Sequence, residues 1–562
     1  MKILRVISLI LLGIVMIFTT TQCAPQPIPP ATLPPSEKIN TQEPAATVAT
    51  TSVSPVSTVV VPSPTSSEAS LKDVFIYAHQ VSFPDIDPMR SYSNDSVVTS
   101  NCYETLTFYN PPGSKDLLSP KLAVSWEANA DATEWTFHLR KGVVFHDGEP
   151  FNAEAVKYSI MKTKEIGVGA AYIWDSVKEI QVIDDYTIKF LLSYSAPLDL
   201  IASTGYQAWM VSPKTYESES PEWYNEGHDA GTGPYTIESY ERDSRLVMTR
   251  FEDYWGGWKP GQFKKVVFEI SQDSTVLQQK IESGVADFTY GVPPDNIPTL
   301  EKNKDLVVYT NPSFQNLVGL LNTKKPPLDN KLVRQALSYS FPYELFIQGV
   351  MGGRATQARG VVPKGMWGHS DELFQYNYDP QKAKQLLTEA GYPNGGFNLL
   401  MTYNSGDMDQ QQLGELWKAE LKKLGIELDI QGMNWEAQWD LGKSDPSKAQ
   451  DIFVMYWWPD YVSPYAFLKS MFVTESPTLF NLAYYSNTEY DKLVDDGNIL
   501  TGSDRAAAAQ KFIDAQKILL NDAVSLFFYD VNNQHIARAD VQGFVDNPAY
   551  GHVVFVYQLT RK

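Results

Sequence analysis

Trp135-Thr136-Phe137-His138-Leu139-Arg140-Lys141-Gly142, running on to Phe145-His146-Asp147-Gly148, is the stretch whose reading decides the fold. Trp135, Phe137 and Leu139 alternate with Thr136, His138 and Arg140, the period of two that gives a strand one buried face. Val143-Val144-Phe145 reads as a second strand leading into Asp147-Gly148, a dipeptide suited to a tight turn. The region is therefore predicted to be a scaffold hairpin. Three further segments keep a fixed order around it: Ser125-Trp126-Glu127 before, then Gly231-Thr232-Gly233-Pro234-Tyr235 and Tyr254-Trp255-Gly256-Gly257 after. Gly231 and Gly233 are able to take positive φ ahead of a proline that fixes the next turn, which suits a chain re-entering a sheet after an excursion. All four segments are read as structural rather than ligand-binding.

A formal charge of −20 and a pI near 4.8 argue against nucleic acid and anionic lipid, which need clustered Lys and Arg. The hydrophobic fraction of 43% and aromatic fraction of 12% suffice for a large core. The length beyond residue 70 exceeds what one core supports, so at least two lobes are expected. Lys2 and Arg5 followed by the apolar run Ile7 to Phe18 read as an export signal too short to be a spanning helix. From Ala24 to Ser70 the chain is Pro, Thr, Ser, Ala and Val with few charges. Such a stretch cannot bury enough apolar surface to offset its ordering entropy, and reads as a tether whose composition also suits O-glycosylation. Cys102 would be the one thiol left if Cys23 is modified; it is read as structural, at a strand or helix start.

Along the folded part, Leu71 to Ala78 opens with a strand, and about Phe108 to Ala230 is a hairpin-rich excursion. That excursion includes the strands 180–183 and 186–190 around Asp184-Asp185. A strand 266–270 and a helix from Ser274 to Ser283, stopped by Gly284, follow. An extended segment around 309–322 crosses to a second lobe, which opens with a helix capped by Asp329. Asp379-Pro380 caps a helix from Gln381 to Ala390; strand 397–403, helix 413–424 and strand 426–430 come next. This alternation predicts α/β with a parallel component. The chain returns near 524–529.

The four segments, in this order on an exported chain, resemble the extracellular solute-binding proteins, family 5, that feed peptide-type ABC importers. Asp87-Pro88, Tyr103-Glu104-Thr105-Leu106 and Pro327 to Leu337 continue the match. Val362-Pro363-Lys364-Gly365-Met366-Trp367-Gly368 and Tyr378-Asp379-Pro380 through Ala390-Gly391-Tyr392 look most like the dipeptide-binding branch. The resemblance implies an α/β two-lobed periplasmic-binding-protein clamp of type II, with an extra subdomain inserted in lobe I. The expected division is a signal peptide at 1–23, a tether at 24–70, lobe I at 71–310 with the insert at about 108–230, lobe II at 311–524, and a return to lobe I at 525–562. Thr20-Thr21-Gln22-Cys23 is similar to a lipoprotein cleavage box, with Thr20 and Gln22 departing from the usual residues. Cys23 is therefore the expected lipidation site, an uncleaved anchor or ordinary cleavage nearby being the alternatives.

Tyr456-Trp457-Trp458-Pro459-Asp460-Tyr461-Val462-Ser463-Pro464 follows the apolar strand 451–455, at a strand end where α/β sheets present ligand sites. The resemblance implies that Asp460 pairs with the free α-amino group of a bound peptide; the competing reading makes Asp460 a cap for the next turn or helix. Trp457 and Trp458 should face opposite ways, one towards the core and one towards the cleft. Tyr461, Tyr403, Asn404 and Trp435 complete the candidate ligand set. Two departures stand out: Ser463 replaces a second aspartate, and Tyr403-Asn404-Ser405-Gly406-Asp407-Met408-Asp409 lacks the arginine that pairs with a dipeptide carboxylate. Longer peptides, or ligands without a carboxylate, are thereby favoured over strict dipeptides.

No cofactor, metal or catalytic residue is expected. The chain has no Gly-x-Ser-x-Gly, its Ser-x-x-Lys segments lack the β-lactamase pattern, and its seven histidines show no zincin spacing. Its many acidic residues make glycosidase-like pairs easy to invent and uninformative. Absence of a Walker A sequence assigns ATP hydrolysis to separate subunits. The expected partners are a peptide or other small solute, ABC permease and ATPase subunits, and the membrane through the lipid anchor, with the chain a monomer on the extracytoplasmic side. Oligosaccharide or nickel-complex binding on the same fold, and an exported hydrolase, are the alternatives.

Overall fold

The computed structural model describes residues 71–92 and 94–562. The predicted signal, Cys23 and the tether lie outside the described residues. An 11-stranded mixed sheet organises the rest. Its axis is a pair of long antiparallel strands, Leu306–Leu321 and Ser525–Arg538. Their register breaks between Pro312 and Asn316 and again between Leu317 and Val318. On one side of that break Phe288–Tyr290 pairs with Ser525–Arg538, and Val74–His79, Lys265–Ile270, Arg245–Arg250 and Tyr235–Glu241 extend the sheet. On the other, Ile452–Trp457 pairs antiparallel with Leu306–Leu321 and parallel with Asn398–Asn404, which pairs in turn with Glu427–Met433. The sheet thus has two wings joined through two continuous strands.

Two large buried clusters pack against this sheet, and the first runs across both wings. Phe75, Phe268, Phe288 and Phe467 belong to one buried cluster, Leu337, Met401, Trp417 and Phe528 to another. Helix signals place the covering helices. Asp379 accepts from Lys382 N at 2.8 Å to start Pro380–Glu389, as read from the sequence. The preceding helix, Lys331–Ser340, is capped one residue later than predicted, by Asn330 rather than Asp329. Met408–Lys423 starts earlier than predicted because Asp407 caps it.

A separate four-stranded sheet carries the alternating stretch Glu134–Leu139. Glu134–Leu139 pairs with Ala123–Ala128 and with Thr187–Leu192, not with 143–145. The predicted second strand instead folds back locally: Phe145 N donates to Glu149 O and Phe151 N to Val143 O around the Asp147-Gly148 turn. Alternation identified the strand; it carried no information about its partners. The strands on either side of Asp184-Asp185 form as expected.

Two of the flanking segments, those at 231–235 and 254–257, converge on one buried carboxylate. Glu104 accepts from Thr232 Oγ1 at 2.9 Å, Tyr254 Oη at 2.9 Å and Trp255 Nε1 at 2.8 Å, and pairs with Lys121 at 3.1 Å. His146 closes the same region through Asp229 and the Gly233 carbonyl. Gly231 and Gly233 do not take positive φ. They are glycine because the chain passes against Cys102, whose carbonyl oxygen would lie 2.0 Å from a Cβ at Gly231. Cys102 ends rather than starts a helix, Ser96–Cys102, and is fully buried, which raises its thiol pKa well above the usual value.

Candidate ligand-binding cleft

The strand Ile452–Trp457 delivers the segment singled out in the sequence to the register break between the wings. Asp460 does not cap the helix that follows. Ser463 does, its Oγ accepting from Tyr465 N at the start of Pro464–Phe472. The residue that departs from the family pattern therefore has a capping role, and the Asp460 carboxylate is left for another use.

That carboxylate sits at the wall of a cavity of about 370 Å³ lined also by Tyr92, Tyr206, Gln315, Trp458 and His552. Tyr92 Oη donates to Asp460 Oδ1 at 2.6 Å, and the Tyr172 hydroxyl supplies a second hydrogen bond. Thr204 Oγ1 holds the Asp460 carbonyl at 2.6 Å, fixing the backbone beneath it. Burial raises the Asp460 pKa, and the Tyr172 and Tyr92 hydroxyls only partly oppose this. No cation is among the causes of that shift. A half-buried carboxylate given neutral donors, but no positive partner among the described residues, is chemically fitted to receive an ammonium group.

Two further cavities adjoin. One of about 250 Å³ shares Asp460 and is lined by Tyr172, Tyr194, Tyr461 and Tyr465. The other, about 280 Å³, shares Gln315 and His552 and contains Tyr290, Tyr456, Arg354 and Asp409. Sequence inspection found no arginine after Tyr403, yet an arginine is present in this cavity. Arg354 immediately precedes the strand Ala355–Gln357, which pairs with Ser525–Arg538, and its guanidinium is held by Asp409 at 2.9 and 3.2 Å. Its distance along the chain hid it.

Of the candidate ligand residues, Trp458, Asp460 and Tyr461 are brought together around these cavities. Trp458 also packs on the Gly551 backbone, where a Cβ would meet its ring at 2.8 Å. Trp457 turns the other way, donating from Nε1 to Ala466 O at 3.2 Å and packing on Phe480. Trp435 follows the helix cap Asn434 and stacks near Trp439, with its ring partly exposed. Tyr403 is buried in the second core against Gly432, and Asn404 is exposed at the strand end, donating its N–H to Gln410. Tyr92, Gln315, His552 and Arg354 were not singled out from the sequence; no local motif marks them, and only the fold collects them.

Residues 118–477 match the family described as bacterial extracellular solute-binding proteins, family 5. The chain is 30% identical over 508 residues to the probable D,D-dipeptide-binding periplasmic protein of Escherichia coli, covering 89% of this chain and 96% of that one. It is likewise 30% identical over 446 residues to the heme-binding protein A of Haemophilus influenzae, covering 73% and 78%. Among solved structures, the ABC transporter-associated periplasmic binding protein DppA of Helicobacter pylori, in complex with the peptide STSA, superposes with a TM-score of 0.70 at 25% identity, over 87% of this chain and 99% of that one.

Proposed function

The chain belongs to the bacterial extracellular solute-binding proteins, family 5, and we propose that it is the capture component of an ABC importer that holds peptides by their free α-amino group. Asp460 carries this reading: a carboxylate facing a cavity, supported by two tyrosine hydroxyls and given no cation among the described residues. A peptide ammonium supplies the missing charge, and desolvation on closure of the wings strengthens the pair. The adjoining cavities give the rest of the peptide somewhere to go, which favours ligands longer than a dipeptide.

In this reading the protein performs no chemistry on its ligand. It works as a monomer on the extracytoplasmic side, held at the membrane by a lipid on Cys23 and the tether 24–70. It hands peptide to a permease whose ATPase subunits supply the energy. A Cys23→Ala chain that still partitions with membranes would remove the anchor from this account.

Calorimetric titration of the full chain against trialanine, tetraalanine, maltooligosaccharides and nickel–histidine tests the ligand class. Heat with the peptides and none with the sugars supports it. Binding confined to sugars or to the nickel complex would reject it while leaving the family membership intact.

A further inference from the structure

His552 occupies the place where the Asp460 cavity meets the Arg354 cavity: it lines both, as Gln315 does. Its backbone is in the left-handed region at φ 58°, uncommon for a residue with a side chain. Its carbonyl accepts from Tyr77 Oη at 3.0 Å, and its ring lies flat on Tyr290, with centroids 4.2 Å apart. The imidazole is therefore fixed in position where the two cavities meet.

Its protonation is fixed as well. Nδ1 of His552 lies 3.2 Å from Nε2 of His535, so one of these nitrogens carries the proton between them. His535 is buried, and its other nitrogen, Nδ1, has no hydrogen-bond partner among the described residues but faces Asp546 Oδ2 at 3.8 Å. A lone pair aimed at a carboxylate is repelled there, whereas an N–H is attracted. The His535 proton therefore sits on Nδ1, its Nε2 accepts, and His552 donates from Nδ1. Burial, and their mutual proximity in the case of His535, lower both imidazole pKa values, to about 4 for His552, so both rings are neutral. Burial pushes Asp546 up to about 6, which leaves it ionised above neutral pH. Nε2 of His552 makes no hydrogen bond with the described residues and is left as a bare acceptor.

We propose that His552 is a ligand contact whose Nε2 accepts a hydrogen bond from a main-chain N–H of the bound peptide, and that His535 and Asp546 are positioning residues that hold it in the accepting tautomer. The proposal rests on the peptide reading above. It adds a selectivity rule: the ligand must present a donor where the two cavities meet, so a backbone amide methylated at that position is rejected.

The test is ¹⁵N NMR of the full chain labelled at histidine, with trialanine and tetraalanine as probes, each also prepared singly N-methylated at every amide. The expected free-state signature is a protonated Nδ1 and an unprotonated Nε2 on His552, with the Nε2 signal shifting on saturation by peptide. One N-methylated peptide should bind about tenfold more weakly than its parent. His552→Asn, a residue that tolerates positive φ, should lose that discrimination. His535→Phe should keep the fold and move the His552 proton to Nε2. A free protein with the proton on Nε2 overturns the positioning half. Peptide binding that needs Asp460 but leaves the His552 Nε2 signal unmoved overturns the contact while preserving the peptide reading. No binding by any peptide of the series removes that reading and this proposal with it.

Discussion

Tyr92 Oη lies 2.6 Å from Asp460 Oδ1, a hydrogen bond between residues 368 positions apart. It ties the strand-end loop of one wing to the N-terminal region that accompanies the other. It also bears on the charge state of the proposed amine-binding group, because a hydroxyl donating to a carboxylate favours the ionised form.

The Asp460 carboxylate must be ionised to pair with an ammonium. Its pKa is raised by burial, so peptide affinity is present above that raised value and is lost as pH falls through it. Tyr92→Phe removes one opposing hydrogen bond and shifts this loss to higher pH. Affinity at neutral pH should fall by roughly three- to tenfold. Calorimetry between pH 5 and 8 on both proteins checks the direction.

Asp530 is fully buried, with Oδ2 accepting from Lys364 N at 3.0 Å and Oδ1 unpartnered among the described residues. Burial pushes its pKa up to about 7. The folded chain thus holds this proton more tightly than the unfolded chain does, and the associated stability, complete below the ordinary carboxylate pKa, disappears as pH rises through about 7. Asp530→Asn has no such titration. Relative to the parent it should gain about 2 kcal/mol between pH 5 and 8.5, measured by urea unfolding at the two pH values.

Ser463→Ala removes the cap of Pro464–Phe472. It should cost about 1 kcal/mol of stability and leave peptide affinity within about twofold. If affinity falls as far as in an Asp460 variant, the division of labour between the two residues is mistaken.

Glycines separate close approach from backbone freedom. An alanine at Gly231 meets the Cys102 carbonyl oxygen at 2.0 Å, contact with backbone that cannot move aside. Gly257 has φ 65° and nothing within 4 Å of an added Cβ. Gly231→Ala should cost about 3 kcal/mol or more, or abolish folding, whereas Gly257→Ala should cost about 1 kcal/mol. Melting temperatures of the two variants give the comparison.

What the sequence revealed was local. The apolar run 451–455 ending in Trp457-Trp458-Pro459-Asp460 placed a strand end and its loop, and Asp379 was legible as the cap of the helix Pro380–Glu389. Signals of this kind need only a few neighbours. The reason for Gly231 did not, because it lies in the passage of Cys102, and positive φ was the wrong explanation. The partners of Glu134–Leu139 were equally hidden, since alternation defines a face and not a neighbour. The same limit applied to the cleft: Tyr92, Gln315, Arg354 and His552 come from four distant segments and line its cavities together only in the fold.

The most direct test is calorimetric titration of the full chain and of Asp460→Asn with one binding peptide in free-amine and N-acetylated forms. The account predicts that acetylation and the substitution each cost about 3 kcal/mol, and that together they cost little more than either alone, because both break the same pair. An acetylated peptide that binds the parent protein as tightly as the free amine, or a folded Asp460→Asn chain with undiminished affinity, would contradict amine capture at this site.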